Sequence, residues 1–152
     1  MQIIQAKDEH FFDVKKITQR TIQEIYPHYY PRGVVDFFLL HHNDQNIMQD
    51  IQSGYVYLIY DEDKQPVGTV TMKANEINRL FVLPQYQRNG IGRQLMNFAE
   101  NEILKEYKIC QLDASLPAKI IYSKRDYIVS ETHVIETECG DFLCYDVMIK
   151  EL

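Results

Sequence analysis

The stretch LFVLPQYQRNGIGRQL, residues 80–95, decides how this chain is expected to fold. Its apolar start, residues 80–83, is typical of a buried strand. After a polar turn come Gly90 and Gly92, and then an apolar stripe at helical spacing. Glycine lets the backbone approach a ligand closely, and the free amides at a helix start attract an anion. The stretch therefore predicts a strand, a phosphate-binding turn and a helix.

Two common phosphate-binding motifs can be excluded because the turn lacks residues that they need. A nucleotide P-loop of the GxxxxGK type needs a Lys followed by Ser or Thr, whereas Arg93 and Gln94 follow Gly92. A dinucleotide fingerprint needs a small residue where Leu95 stands, and it belongs to the first strand of its unit. The turn therefore matches neither of these two nucleotide-binding motifs.

The segment QRNGIG, residues 87–92, resembles the signature of the GNAT superfamily of acyl-CoA N-acyltransferases. That signature reads Gln or Arg, two residues, Gly, one residue, then Gly or Ala. The apolar strand and Pro84 that usually precede it are also present. The placement of the motif between a strand and a helix strengthens the resemblance.

A second element, residues 112–127, is similar to the family's next motif of a strand, a helix with a Tyr near a basic residue, and a further strand. Tyr122 occupies the position of the family's Tyr. The chain departs from the pattern at three places: Ser115 stands where Asn is common, Ile121 replaces an aromatic residue, and Asp126 replaces Gly. These departures affect the cofactor contacts more than the fold.

The resemblance implies an α/β (α+β) fold in one domain, residues 1–152. In this fold a mixed, mostly antiparallel sheet, flanked by helices, splays between its fourth and fifth strands. Periodicity predicts the elements directly: a strand at 2–6, helices within 8–54 with Asp8 as a cap and Gly54 as the end, strands between 55 and 83, a helix at 91–107, a strand at 109–114, a helix at 119–124, and strands near 127–135 and 142–149. A phase shift in the apolar residues near Asn78 and Arg79 predicts a β-bulge.

The resemblance further implies transfer of an acetyl group from acetyl-CoA to a primary amine by direct attack in a ternary complex. The pantetheine arm would enter the gap between residues 77–83 and 109–114 and pair with the backbone of Phe81 and Val82. The pyrophosphate would meet the amides of Arg88 to Arg93. The cofactor-binding residues implied are Phe81, Val82, Gln87, Arg88, Asn89, Gly90, Ile91, Gly92, Arg93 and Ser115. No metal is expected, because the His and Cys residues lack ligand spacing.

The chemistry requires an acid and a base. Tyr122 is the candidate acid for the departing thiolate, because the family places a Tyr there. An alkylamine with a pKa of about 10.4 must lose a proton before it attacks, so a base is needed. Glu76, at the start of the bulged strand, is the first candidate, and Glu24, His28 and ordered water are the alternatives. The candidates for the acceptor site are Glu24, His28 and Tyr29.

Composition limits the partners. Sixteen Lys and Arg against twenty-two Asp and Glu give a net charge of −6, which argues against a nucleic-acid partner and fits a small or peptidic amine. Three cysteines without a CxxC pair, no apolar span and no signal-like start favour a cytoplasmic protein without membrane association. A homodimer is plausible if the last strand is a sheet edge.

Two other functions stay open at this point. One is a catalytically silent acyl-CoA-binding regulatory module that keeps the phosphate-binding turn. The other is a structural or interaction domain in which QRNGIG merely starts a helix.

Overall fold

The computed structural model describes residues 1–152 and has seven strands and five helices in the predicted order. The strands are β1 (Gln2–Gln5), β2 (Val56–Tyr60), β3 (Pro66–Lys73), β4 (Glu76–Val82), β5 (Ile109–Ala114), β6 (Ile128–Glu136) and β7 (Phe142–Glu151). The helices are α1 (Phe11–Ile25), α2 (Arg32–His41), α3 (Asp44–Gln52), α4 (Ile91–Leu104) and α5 (Leu116–Ser123).

The helix boundaries follow local chemistry. Pro27 ends α1 in a 3₁₀ turn, Tyr26–His28, because proline cannot continue the hydrogen-bond ladder. The predicted cap Asp8 is wrong: it lies inside a 3₁₀ turn, Asp8–His10, and His10 occupies the N-cap position of α1. Gly54, with φ of +76°, follows α3 as predicted.

The sheet has the order β1-β2-β3-β4-β5-β7-β6. Every neighbouring pair is antiparallel except β4 and β5, which are parallel and share only two residue pairs, Glu76 with Gln111 and Ile77 with Leu112. Beyond Ile77 the two strands diverge. The predicted splay between the fourth and fifth strands is confirmed.

The predicted bulge in β4 is also confirmed. Thr71 pairs with Arg79, but the next residue, Met72, pairs with Ile77. Asn78 is therefore the extra residue on β4, which bends the strand beside the splay.

The sheet edge differs from the prediction. β7, the last strand, lies between β5 and β6, so β6 forms that edge of the sheet. The argument for a homodimer through the last strand is therefore wrong, because the backbone groups of β7 already pair on both sides.

Apolar residues fill the space on both faces of the sheet. One cluster packs α4 against the sheet and includes Leu95, Ala99 and Leu112. The other packs α1–α3 against the opposite face and includes Val14 and Leu58. None of the helices combines the length and apolar character needed to cross a bilayer.

Candidate active site

The turn before α4 presents unpaired amides. Gly90 is the N-cap of α4 with φ of +79°, and the first helical hydrogen bond runs from the Gln94 amide to the Gly90 carbonyl at 3.1 Å. The amides of Gly90, Ile91, Gly92 and Arg93 have no hydrogen-bond partner in the chain. Unpaired amides and the positive end of a helix dipole both favour an anion at such a turn.

Gln87 fixes this turn to β4. Its amide donates to the Pro84 carbonyl at 3.2 Å, and its side-chain Nε2 donates to the Val82 carbonyl at 2.9 Å. The Thr21 hydroxyl donates to the same carbonyl at 3.3 Å. The structure thus places Gln87, an expected cofactor contact, as a support for the turn.

Successive residues of β4 direct their backbone amides alternately toward β3 and toward the splay. The Leu83 amide donates to the Val67 carbonyl in β3 at 2.9 Å, and Phe81 stands opposite Thr69 in the same ladder. Because alternate residues of a strand point their amides in opposite directions, Val82 and Leu80 turn theirs toward the splay. The geometry assigns the gap-facing backbone to Val82 and Leu80 and not to Phe81.

A cavity of about 180 Å³ lies where β4 and β5 diverge. Its walls come from the α1–α2 region, the two diverging strands, α5 and the β6–β7 hairpin. The lining includes Tyr26, Phe37, Phe38, His41, His42, Arg79, Phe81, Asp113, Ser115, Tyr122 and Tyr145. Residues from five separate segments therefore meet in one place.

Tyr122 of α5 reaches this cavity with its side chain almost wholly buried, at 9% exposure. Burial, with a smaller contribution from Cys110, raises the pKa of Tyr122 to about 12. The phenol therefore stays protonated across the neutral range and keeps a hydrogen to donate.

Two carboxylates lie near the β4–β5 end of the cavity. Asp113 lines it. Glu76 is not among the lining residues, but it precedes Ile77, which is, and its Oε1 accepts a hydrogen bond from Asn78 Nδ2 at 3.0 Å. Burial and the neighbouring Asp113 raise the pKa of Glu76, and Lys73 opposes the shift. Burial also raises the pKa of Asp113, against His133 and His41. Both groups therefore hold a proton more readily than an ordinary carboxyl.

The histidines on the opposite wall stay neutral. Burial and the nearby Arg79 lower the pKa of His42 to about 3, and the same two causes lower that of His41. These residues carried no signal in the sequence beyond their adjacency.

The expected acceptor residues do not reach the cavity. Glu24 pairs with Arg20 at 2.6 Å on the surface, and His28 and Tyr29 are exposed. Helical periodicity turns Tyr26 inward instead, where it is 7% exposed. Ser115, the expected cofactor contact at the N-cap of α5, does line the cavity.

Residues 25–141 match the family model described as an acetyltransferase (GNAT) domain. The chain belongs to the GNAT acetyltransferase family. Asp126, which stands where the family motif commonly has Gly, adopts φ of +70°, a left-handed backbone that glycine adopts more readily than other residues. A search of curated proteins found no match.

Solved structures agree with the family at the level of the fold. A GCN5-related N-acetyltransferase from Rhodopseudomonas palustris has a TM-score of 0.89 at 19% identity, over 99% of this chain and 95% of that one. The PaiA N-acetyltransferase from Thermoplasma acidophilum, in complex with coenzyme A, has a TM-score of 0.73 at 19% identity, over 99% of this chain and 98% of that one. YncA from Salmonella typhimurium, a putative acetyltransferase with acetyl-CoA, has a TM-score of 0.73 at 15% identity, over 100% of this chain and 94% of that one.

Proposed function

We propose that this GNAT protein transfers an acetyl group from acetyl-CoA to a primary amine, by direct attack and without an acyl-enzyme. The observation that carries the proposal is the set of four unpaired amides at the start of α4, next to the splay between β4 and β5. The amides fit a pyrophosphate, and the gap-facing backbone of Leu80 fits an amide-containing arm, which leaves the gap-facing Val82 amide for the acetyl group.

Space at the turn supports the same assignment. A Cβ built on Gly92 would lie 3.9 Å from Val82 Cγ2, which is ordinary contact, and one built on Gly90 would meet nothing within 4 Å. The protein itself therefore does not require a missing side chain at Gly92. A ligand that lies against the backbone supplies a reason for glycine there.

The acceptor amine would enter the cavity and meet the carboxylates. Asp113 lines the cavity and offers its charge to the ammonium. Glu76, whose pKa is raised by burial, takes the proton directly or through water. The Val82 amide donates to the oxygen that gains charge during attack.

Tyr122 acts at the leaving sulfur. When bound, acetyl-CoA supplies the activated thioester. Because a thiol titrates near 8.5, a phenol with a pKa of about 12 stabilises the thiolate mainly by donating a hydrogen bond. As the tetrahedral adduct collapses, the C–S bond breaks and the thiolate takes its proton from solvent, while Tyr122 keeps its own.

The direct test is a turnover screen with acetyl-CoA and chemically distinct amines: polyamines, amino acids, peptides with a free amino terminus, lysine peptides and aminoglycosides. We expect release of free CoA thiol with at least one class and an acetylated product by mass spectrometry. Tight binding of CoA without turnover of any amine would contradict the proposal and support the regulatory module.

A further inference from the structure

The carboxylate of Asp50 in α3 contacts charged side chains on both sides of the β4 bulge. Its Oδ1 lies 2.7 Å from Lys73 Nζ, and its Oδ2 pairs with the Arg79 guanidinium. Lys73 stands opposite Glu76, before the bulge, and Arg79 follows the bulged Asn78. One carboxylate therefore ties β3 and β4 to α3 where β4 leaves its regular register.

Lys73 has two carboxylates near it and pairs with one. Residues directly opposite in antiparallel strands have Cβ atoms about 4.5–5.5 Å apart on one face, so Lys73 and Glu76 are neighbours. Lys73 nevertheless forms its ion pair with Asp50 and holds its ammonium 5.9 Å from the centre of the Tyr55 ring. The Glu76 carboxylate accepts from the neutral Asn78 amide instead.

We infer that Asp50 is a positioning residue that keeps the Lys73 ammonium away from Glu76, an inference that rests on the proposed function, in which Glu76 is the base. Asp50 and Arg79 are each 5% exposed, so their pair is buried, and it fixes the carboxylate that Lys73 reaches. Lys73, whose side chain is 42% exposed, is the member of the three that has room to turn to another partner.

The pKa of Glu76 depends on where the Lys73 ammonium lies relative to the Glu76 carboxylate. Asp113 on β5 raises the pKa of Glu76, Lys73 on β3 lowers it, and Tyr145 on β7 also senses the Glu76 charge. Of these three neighbours, Lys73 alone carries positive charge. An ammonium that moved onto Glu76 would make this carboxylate a weaker base near neutral pH, since an opposite charge at 4–6 Å lowers a carboxyl pKa by about 1–3 units.

Titration of the Glu76 carboxyl by ¹³C NMR in the free protein tests this inference without turnover. In Asp50→Asn we expect the pKa of Glu76 to fall by about one unit or more, because Lys73 turns to Glu76. Adding Lys73→Met should abolish that fall. The matched control is Asp44→Asn, at another aspartate of α3. It breaks the exposed ion pair of Asp44 with Lys15 of α1, at 2.8 Å, and should leave the pKa of Glu76 unchanged.

A Glu76 pKa that stays constant in Asp50→Asn, or that falls equally with and without Lys73, overturns the inference. Asp50→Asn leaves the Arg79 charge buried and unpaired, which is strongly destabilising. If that variant does not fold, Asp50→Asn with Arg79→Met removes both members of the buried pair, and the same titration with and without Lys73→Met decides.

The base assignment is tested separately. Glu76→Gln should abolish the acid limb of the pH profile of kcat/KM, and a surviving limb contradicts the proposed base. Because the NMR titration measures the pKa of Glu76 without substrate, it tests the positioning role of Asp50 independently of that kinetic result.

Discussion

The Gly33 amide donates a hydrogen bond of 2.9 Å to the Asp141 carboxylate, although 108 residues separate the two in sequence. Gly33 lies in the first turn of α2, and Asp141 lies in the turn between β6 and β7. The carboxylate satisfies an amide that has no partner within the helix. This contact holds the β6–β7 hairpin against α2, and both elements form walls of the cavity.

Gly33→Ala should therefore damage the acceptor side of the site. A Cβ there would collide with Asp141 Oδ2 and lie 3.0 Å from Thr137 Oγ1, so the Asp141 side chain must turn away and lose its hydrogen bond to the Gly33 amide. We expect a lower Tm and a higher KM for the amine, with the Kd for acetyl-CoA unchanged by calorimetry. Arg32→Ala is the control for the amine KM, since Arg32 lies in the same turn of α2 and its side chain is 94% exposed. Equal KM changes in the two variants would contradict this role for the contact.

Gly92→Ala and Gly92→Asp should weaken acetyl-CoA binding without loss of stability. The free protein has room for a Cβ at this position, and Ala favours a helix over Gly by up to about 1 kcal/mol. We expect a Tm that does not fall, a moderate loss of affinity for Ala, and no measurable binding for Asp because its charge opposes the pyrophosphate. Unchanged calorimetric affinity in Gly92→Asp would rule out the turn as the phosphate site.

Tyr122→Phe should lower kcat by about 100-fold while the Kd for acetyl-CoA changes little, because the phenol acts on the leaving sulfur. Tyr127→Phe is the matched control: its ring lies 5.9 Å from that of Tyr122, but its hydroxyl contacts Glu100 and Cys110 outside the cavity. Parallel measurements of kcat and Kd separate the two roles. Equal losses of kcat and binding in Tyr122→Phe would remove it from the acid role.

Glu76→Gln and Asp113→Asn should give different kinetic defects. Glu76→Gln should lower kcat, and Asp113→Asn should raise the KM for the amine. Glu76 also predicts a stability effect: its pKa is higher in the folded protein, so its contribution is favourable below the ordinary carboxyl pKa and is lost as pH rises through the raised value. Glu76→Gln should therefore raise Tm relative to wild type at pH 7–8 more than at pH 4. A larger Tm gain of Glu76→Gln at pH 4 than at pH 7–8 would show that the folded protein stabilises Glu76 as a carboxylate.

The sequence predicted those features that depend on local pattern. The bulge at Asn78 appeared as a phase shift in the apolar residues of β4, because an extra residue reverses which side chains face the core. The turn before α4 appeared through its glycines, since the left-handed backbone at position 90 favours glycine.

The features that the sequence did not predict depend on distant segments. β7 inserts between β5 and β6, and chain order alone does not give that spatial order. The cavity walls, such as Tyr26 of the α1–α2 turn and Tyr145 of β7, come together only through the sheet. Glu24 was expected there because it ends α1 near the site, but it lies on the surface with Arg20.

The most direct test of the account is a crystal structure with coenzyme A. The amides of Gly90 to Arg93 should lie about 2.7–3.2 Å from oxygens of its pyrophosphate, in hydrogen-bond geometry. A bound coenzyme whose pyrophosphate lies elsewhere, or a turn that stays empty at saturating coenzyme, would contradict the account.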